Sequence, residues 1–276
     1  EVTAYASKAT GMQIQVERID LRFPLNLLVR GVEVIQQPDT LLSLESLNVR
    51  VQAWPLVKGK VEVDEVTLSQ VAFNSANLIE GMKIKGVLGR FFLQSHGVDL
   101  SNELAVINQT ELSDTHVQML MNDTTTTPKD TTASAPVNWK VDLHKLKLKN
   151  VSFSMQLPAD SMRMAAHIGE AFINDAQADL KNQFYELKQF LLSGSSANYD
   201  TGAAKPGEGF DASHIAVRDI RIGLDSLLYK GRDMNAVIRE LSMNERSGLS
   251  ITSLTGRAFS NDSIIRIPGI KLQTPH

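Results

Sequence analysis

The sequence predicts a mainly β protein: a long curled antiparallel sheet with one apolar face, preceded by a short N-terminal helix. Three observations carry this. Large apolar residues recur as apolar-x-apolar-x-x along most of the chain. The skipped positions are mostly charged or polar. Gly31, Pro38, Pro55 and Gly59 punctuate the first strand-like runs as short turns would.

The clearest copy is VEVDEVTLSQVAF, residues 61–73, with Val61, Val63, Val66, Leu68, Val71 and Phe73 in its six slots. A helix would scatter these residues around its circumference. A regular strand would put Val61 and Val63 on one face and Val66 and Leu68 on the other. A β-bulge, opposing two residues to one on the partner strand, would absorb the extra residue and keep the apolar side chains together.

In chain order, Val2, Tyr5, Ala6 and Ala9 fall at helical spacing and Gly11 stops them, so a short amphipathic helix is expected to cap the sheet or to continue from a preceding membrane helix. Residues 13–73 read as successive antiparallel strands, with Ile14, Val16, Ile19 and Leu21 in the first and Leu42, Leu44, Leu47 and Val49 in the third. Residues 75–89, with Asn77, Gly81, Gly86 and Gly89, read as short irregular strands, and 104–121 as another strand pair. VDLHKLKLKNVSF repeats the six-slot pattern with Val141, Leu143, Leu146, Leu148, Val151 and Phe153. Shorter copies follow at Tyr185, Leu187, Phe190 and Leu192, at Ile215, Val217, Ile220 and Ile222, and at Ile265, Ile267, Ile270 and Leu272. The helix-forming residues of 161–171 and 177–192 are assigned to strand on this pattern. Residues 123–136 and 193–212 lack it and read as flexible loops within one elongated unit spanning 1–276.

Composition excludes several function classes. With no cysteine there is no disulfide framework or thiolate metal site, and a net charge of −3 gives no electrostatic reason to expect nucleic acid. The six histidines are dispersed, no glycine-flanked nucleophile elbow or phosphate loop occurs, and Ser195 and Ser196 fall in a stretch expected to be solvent-exposed. No catalytic, cofactor or metal residues are nominated. Lys145, Lys147 and Lys149 alternate beside His144 either as a basic stripe for anionic headgroups or, more simply, as a polar outer face. No apolar run is long enough to span a membrane, and the chain starts without Met, as a piece of a longer protein would.

The apolar face remains. A sheet that concentrates its large aliphatics on one side must cover them with a second sheet, with helices, or by curling into a trough that receives a guest. A lipid tail suits such a trough, because each buried methylene contributes about 0.8 kcal/mol without a directional partner. The expected lining comprises Ile14, Val16, Ile19, Leu21, Val61, Val63, Val66, Leu68, Val71, Phe73, Val141, Leu143, Leu146, Leu148, Val151, Phe153, Ile215, Val217, Ile220 and Ile222.

GMQIQVERIDLRFPLNLLVRGVEV followed by LLSLESLNVRVQAWPLVKGKVEVDEVTLSQVAF resembles the opening of the AsmA-like/TamB family, in the Gly31-Val32 step and in Val57-Lys58-Gly59-Lys60-Val61 before the long strand. The resemblance implies a β-taco groove in the periplasm of a Gram-negative bacterium, anchored in the inner membrane by a segment outside this sequence. It implies lipid acyl chains as ligand, phospholipid transport between membranes or support of outer-membrane protein assembly as activity, and an Omp85-type barrel or unfolded outer-membrane proteins as partners of the full-length protein. The competing reading is a periplasmic or surface β-sandwich that binds glycans through its loops, with Tyr199 and Phe210 as its exposed aromatics.

Overall fold

A computed structural model describes residues 11–23, 25–54, 62–99, 102–122, 138–202 and 204–275. The expected N-terminal helix, the loop at 123–136 and Val61 lie outside the described residues.

β1 (Gln13–Arg22), β2 (Asn26–Gln36), β3 (Asp39–Val51) and β4 (Val63–Asn74) form an antiparallel meander. It continues through the longer β5 (Met82–Asp99) and β6 (Leu104–Met121). β7 (Lys140–Leu157), β8 (Met162–Asp179), β9 (Phe184–Asp200), β10 (His214–Lys230) and β11 (Asp233–Glu245) form a second meander. The short β12 (Ser250–Ile251) pairs with β11, β13 (Ser253–Ser260) follows in the sheet, and β14 (Ile265–Arg266) and β15 (Lys271–Gln273) both pair with β13. Strand order follows chain order from β1 to β11, and the molecule is one open sheet of 15 strands.

The sheet is mixed rather than wholly antiparallel, because β6 and β7 run parallel, Leu104 beside Lys140 and Leu120 beside Gln156. The two-residue turn between β2 and β3 can join only antiparallel neighbours. The link from Met121 to Lys140, at up to about 3.5 Å per residue, is long enough to return along an eighteen-residue strand. Three further expectations are corrected. Residues 82–89 belong to the long β5, where paired strands on both sides supply the order that the glycines lack. Residues 104–121 form one strand. Residues 193–200 complete β9 rather than opening a loop, hydrogen-bonded between β8 and β10, so the loop begins at Thr201.

The apolar-x-apolar-x-x pattern is resolved differently from the expected bulge. Between Leu68 and Val71 the extra residue, Gln70, takes a left-handed φ of 49°, which flips the side-chain alternation and returns Val71 to the face of Leu68. On the adjacent strands Glu45 and Gly89 are the residues skipped at the same level, without a left-handed φ of their own. Pairing skips from Leu44–Val71 to Ser46–Ser69, from Val71–Leu88 to Ser69–Arg90, and from Leu88–Thr115 to Arg90–Ser113, with no change of register. Glu17, Gly31, Glu45, Gln70, Gly89, Asp114, Asn150, Gly169 and Gly194 thus form a row of matched kinks across β1 to β9. Each extra residue opposes another extra residue, so two never face one. True register shifts appear elsewhere, between Arg50 and Val51, between Gln94 and Gly97, and within β10.

Left-handed residues alternate along this row with residues of ordinary φ, except at the parallel pair, where Asp114 and Asn150 are both left-handed. Gly31, at φ 59°, lies beneath Glu17, whose carboxylate would be 2.5 Å from an added Cβ. Asn150 and Asp114, at φ 53° and 51°, join across the parallel pair through Asn150 Nδ2 donating to Asp114 Oδ1 at 2.7 Å. Left-handed backbone costs an ordinary residue about 1–2 kcal/mol, and Asn and Asp tolerate it best. A shorter second row of matched kinks runs through His144, Asp175 and Lys188.

Candidate functional site

Cross-strand partners share a face, so the register shows where each apolar slot goes. Ile19, Val29, Leu47, Leu68, Phe91, Leu112, Leu148, Ala171, Leu192, Ile222 and Leu241 are successive partners, one row across β1 to β11. On one side lies the row through Leu21, Val66, Leu146 and Phe190. On the other, beyond the kinks, lie the rows through Val16, Val71 and Val151 and through Ile14, Phe73, Phe153 and Val217. Val63, opposite Val51, extends this face at one end, where its carbonyl accepts the Ser95 hydroxyl. Val141 and Leu143 extend it through Ala178 and Ala176. Ile215 meets Tyr199, and Ile220 meets Ser195. Every expected lining residue except Val61, which is not described, therefore falls on one continuous surface.

Few hydroxyls interrupt that surface, and they turn back to the main chain. Thr115 donates to the carbonyl of Ser113 at 3.2 Å, Thr110 to that of Phe92 at 3.1 Å, and Ser195 to that of Ser193 at 3.1 Å. Ser195 is 3% exposed, contrary to the expectation of an exposed serine. It packs where Gly169 and Gly194 bring β8 and β9 together, and the Gly169 N–H donates to its Oγ.

The face is not sealed. Among the described residues no large side chain is fully buried, and Phe153, Met164 and Tyr185 are each nearly two-fifths exposed. A sandwich would put most of these residues below a few per cent. β8 is lined with alanines between bulky neighbours: Ala171 between Leu148 and Leu192, Ala176 between Leu143 and Leu187, and Ala178 between Val141 and Tyr185. The missing side-chain volume leaves a hollow of about 190 Å³ bounded by Val141, Leu143, Tyr185, Leu187 and Leu227. Tyr185, on its wall, has its ring centroid 5.9 Å from that of Tyr229.

The opposite face is held by polar pairs. His144 Nδ1 lies 3.2 Å from Asp175 Oδ1, Arg239 donates to Asp225 at 3.0 Å, and Asn244 donates to Asp219 at 3.0 Å. The lysine stripe is balanced there, since Lys147 is paired in register with Glu111 and Lys149 with Glu170, while Lys147 also lies 5.8 Å from the Phe172 ring centroid. Phe92, Phe172 and Leu191 occupy this same face, an exception to its polar pattern.

Among the described residues no group of three or more His, Asp or Glu could hold a metal ion, and no helix is long and apolar enough to cross a membrane. Of the two aromatics expected in a binding loop, Tyr199 belongs to β9 on the apolar face, while Phe210 is 63% exposed in the 201–213 segment. Within that segment Asp211 accepts hydrogen bonds from the N–H groups of Gly207 and Ser213 and from His214. These hold its pKa down from 3.8 to about 2.

The alanine trough and the kink rows were missed by sequence reasoning. A weaker copy of the template with Ala166 and Ala171 in its slots is readable in the sequence, but Ala176 and Ala178 are overlooked when large aliphatics alone are counted. No known protein-family model matches the sequence, and no curated protein matches it.

Proposed function

We propose that this chain is a non-enzymatic lipid-binding groove of the AsmA-like kind, part of an inner-membrane-anchored protein in the periplasm of a Gram-negative bacterium. Its apolar rows receive acyl chains for phospholipid transport between the two membranes or in support of outer-membrane protein assembly. The observation that carries this reading is the continuous apolar face, aligned across eleven strands and left partly exposed. An acyl chain of about sixteen carbons lying along it would gain roughly ten kcal/mol before ordering costs. It needs no polar constellation, and the hydroxyls of Thr110, Thr115 and Ser195 on this surface are already satisfied by main-chain carbonyls of their own or the adjacent strand.

The test is photocrosslinking from a photoreactive amino acid at Val141 in the presence of phospholipid. Crosslinks to lipid are expected, and Leu146→Glu or Val66→Glu in the same protein should reduce them severalfold by placing a charge on the floor of the groove. Crosslinking unchanged by both charges would defeat the proposal. A glycan-binding sandwich is less well supported, because it needs a dry core that these exposures do not provide.

A further inference from the structure

A second concavity, of about 540 Å³, lies at the strand ends where β7 turns into β8 and where β9 leaves toward β10. Gln156, Arg163, Asp200 and His214 line it, each the cross-strand partner of the next. Leu157 and Met162, partners of one another and next in sequence to Gln156 and Arg163, also line it. The polar row and the Leu157–Met162 pair lie on opposite faces of the sheet, so the cavity sits at the strand ends, where the polar face meets the end of the apolar rows.

One wall is fixed. His214 is 6% exposed, its Nδ1 lies 2.9 Å from Asp211 Oδ2, and its carbonyl accepts from Arg246 Nη2 at 3.0 Å. The other wall carries Arg163 and Asp200 side by side on adjacent strands, both exposed. Neither enters an ion pair among the described residues.

An anion alone would meet Arg163 favourably but also face Asp200, and a cation alone would meet the reverse. A group bearing both charges a few ångströms apart satisfies each wall residue. We propose that this cavity is a headgroup site for a zwitterionic phosphate amphiphile, such as one carrying phosphoethanolamine. The phosphate lies against the Arg163 guanidinium, the ammonium against the Asp200 carboxylate, and the tail passes over Leu157 and Met162 onto the apolar rows. A guanidinium forks two hydrogen bonds onto phosphate, which gives the site direction as well as charge. The assignment rests on the groove reading, which supplies the place for the tail.

Equilibrium titrations of the whole chain, with tail-matched lysophosphatidylethanolamine, lysophosphatidylglycerol and fatty alcohol below their micelle concentrations and with free phosphoethanolamine, separate the two ideas. Arg163→Gln should weaken both lysophospholipids about tenfold, as loss of a charge-assisted pair does, and leave the alcohol unchanged. Asp200→Asn should remove the preference for the ethanolamine head over the glycerol head. Both residues are exposed, and an unchanged circular dichroism spectrum checks the fold of each variant. If both variants bind all three amphiphiles as the parent does, the headgroup site is wrong while the groove stands. Arg163-dependent binding of free phosphoethanolamine without binding of the alcohol would support the cavity and sink the groove. No binding of any probe would overturn both.

Discussion

Replacing Gly169 with alanine tests whether the matched kinks are held by close approach of main chains. Gly169 lies on the kink row between Asn150 and Gly194. A Cβ there would stand 2.6 Å from the carbonyl oxygen of Gly194 and 2.9 Å from that of Ser193. Nonbonded heavy atoms attract only beyond roughly 3.5 Å, so β9 would have to retreat by most of an ångström. Backbone hydrogen-bonded on both sides cannot move as a side-chain tip can. Overpacking of this kind costs about 1–3 kcal/mol, against about 0.4–1 kcal/mol that alanine returns by restricting the unfolded chain. The net expectation is a loss of about 1–2 kcal/mol, which in a protein of this size lowers Tm by several degrees. The matched control is Gly207→Ala, where the new carbon would meet only Asp211 Oδ2 at 3.8 Å. Urea unfolding followed by circular dichroism compares the two. Equal stability of Gly169→Ala and Gly207→Ala would refute the close-approach argument.

Two more outcomes follow from the same geometry. Asn150→Val places a β-branched residue at φ 53° and removes the bond to Asp114, so it should cost about 2 kcal/mol or more, whereas Asn150→Gly should cost less than half as much because only the bond is lost; denaturation midpoints decide it. The depressed Asp211 pKa is lower folded than unfolded, so its contribution is fully present above 3.8 and is lost as pH falls toward about 2; hydrogen exchange of 207–214 should quicken over that window, and Asp211→Asn should quicken it at neutral pH and abolish the acid step.

Fold class was legible because the apolar slots repeat with strand-like pairs, and the register bears out that these pairs share a surface. The device that keeps them together was only half legible. Gln70, Asp114 and Asn150 show the extra residue in each strand, but that the extras face one another is a property of alignment between strands, and no single strand reveals it. The parallel β6–β7 pair was hidden for a similar reason, since periodicity is the same in either direction and only the length of the intervening link hinted at it. Residues 193–200 looked like loop because Gly194, Ser195 and Ser196 are small and polar. In the sheet that smallness is what lets β8 and β9 approach. The candidate lining was readable from large aliphatics, whereas the hollow along β8 depends on Ala176 and Ala178 being too small to fill it. The polar cavity beside His214 joins residues far apart in the chain, and no spacing rule could have found it.

The absence of native cysteine makes single-cysteine spin labelling direct, and β7 offers the sharpest comparison. Labels at Leu146 and Leu148 fall on the apolar rows, and labels at Lys147 and Lys149 on the opposite face. With a fatty acid carrying a nitroxide on its chain, spin–spin broadening is expected at Leu146 and Leu148 and not at Lys147 and Lys149. Broadening that ignores this alternation, or none at any of the four positions, would contradict an open apolar face that takes a lipid tail.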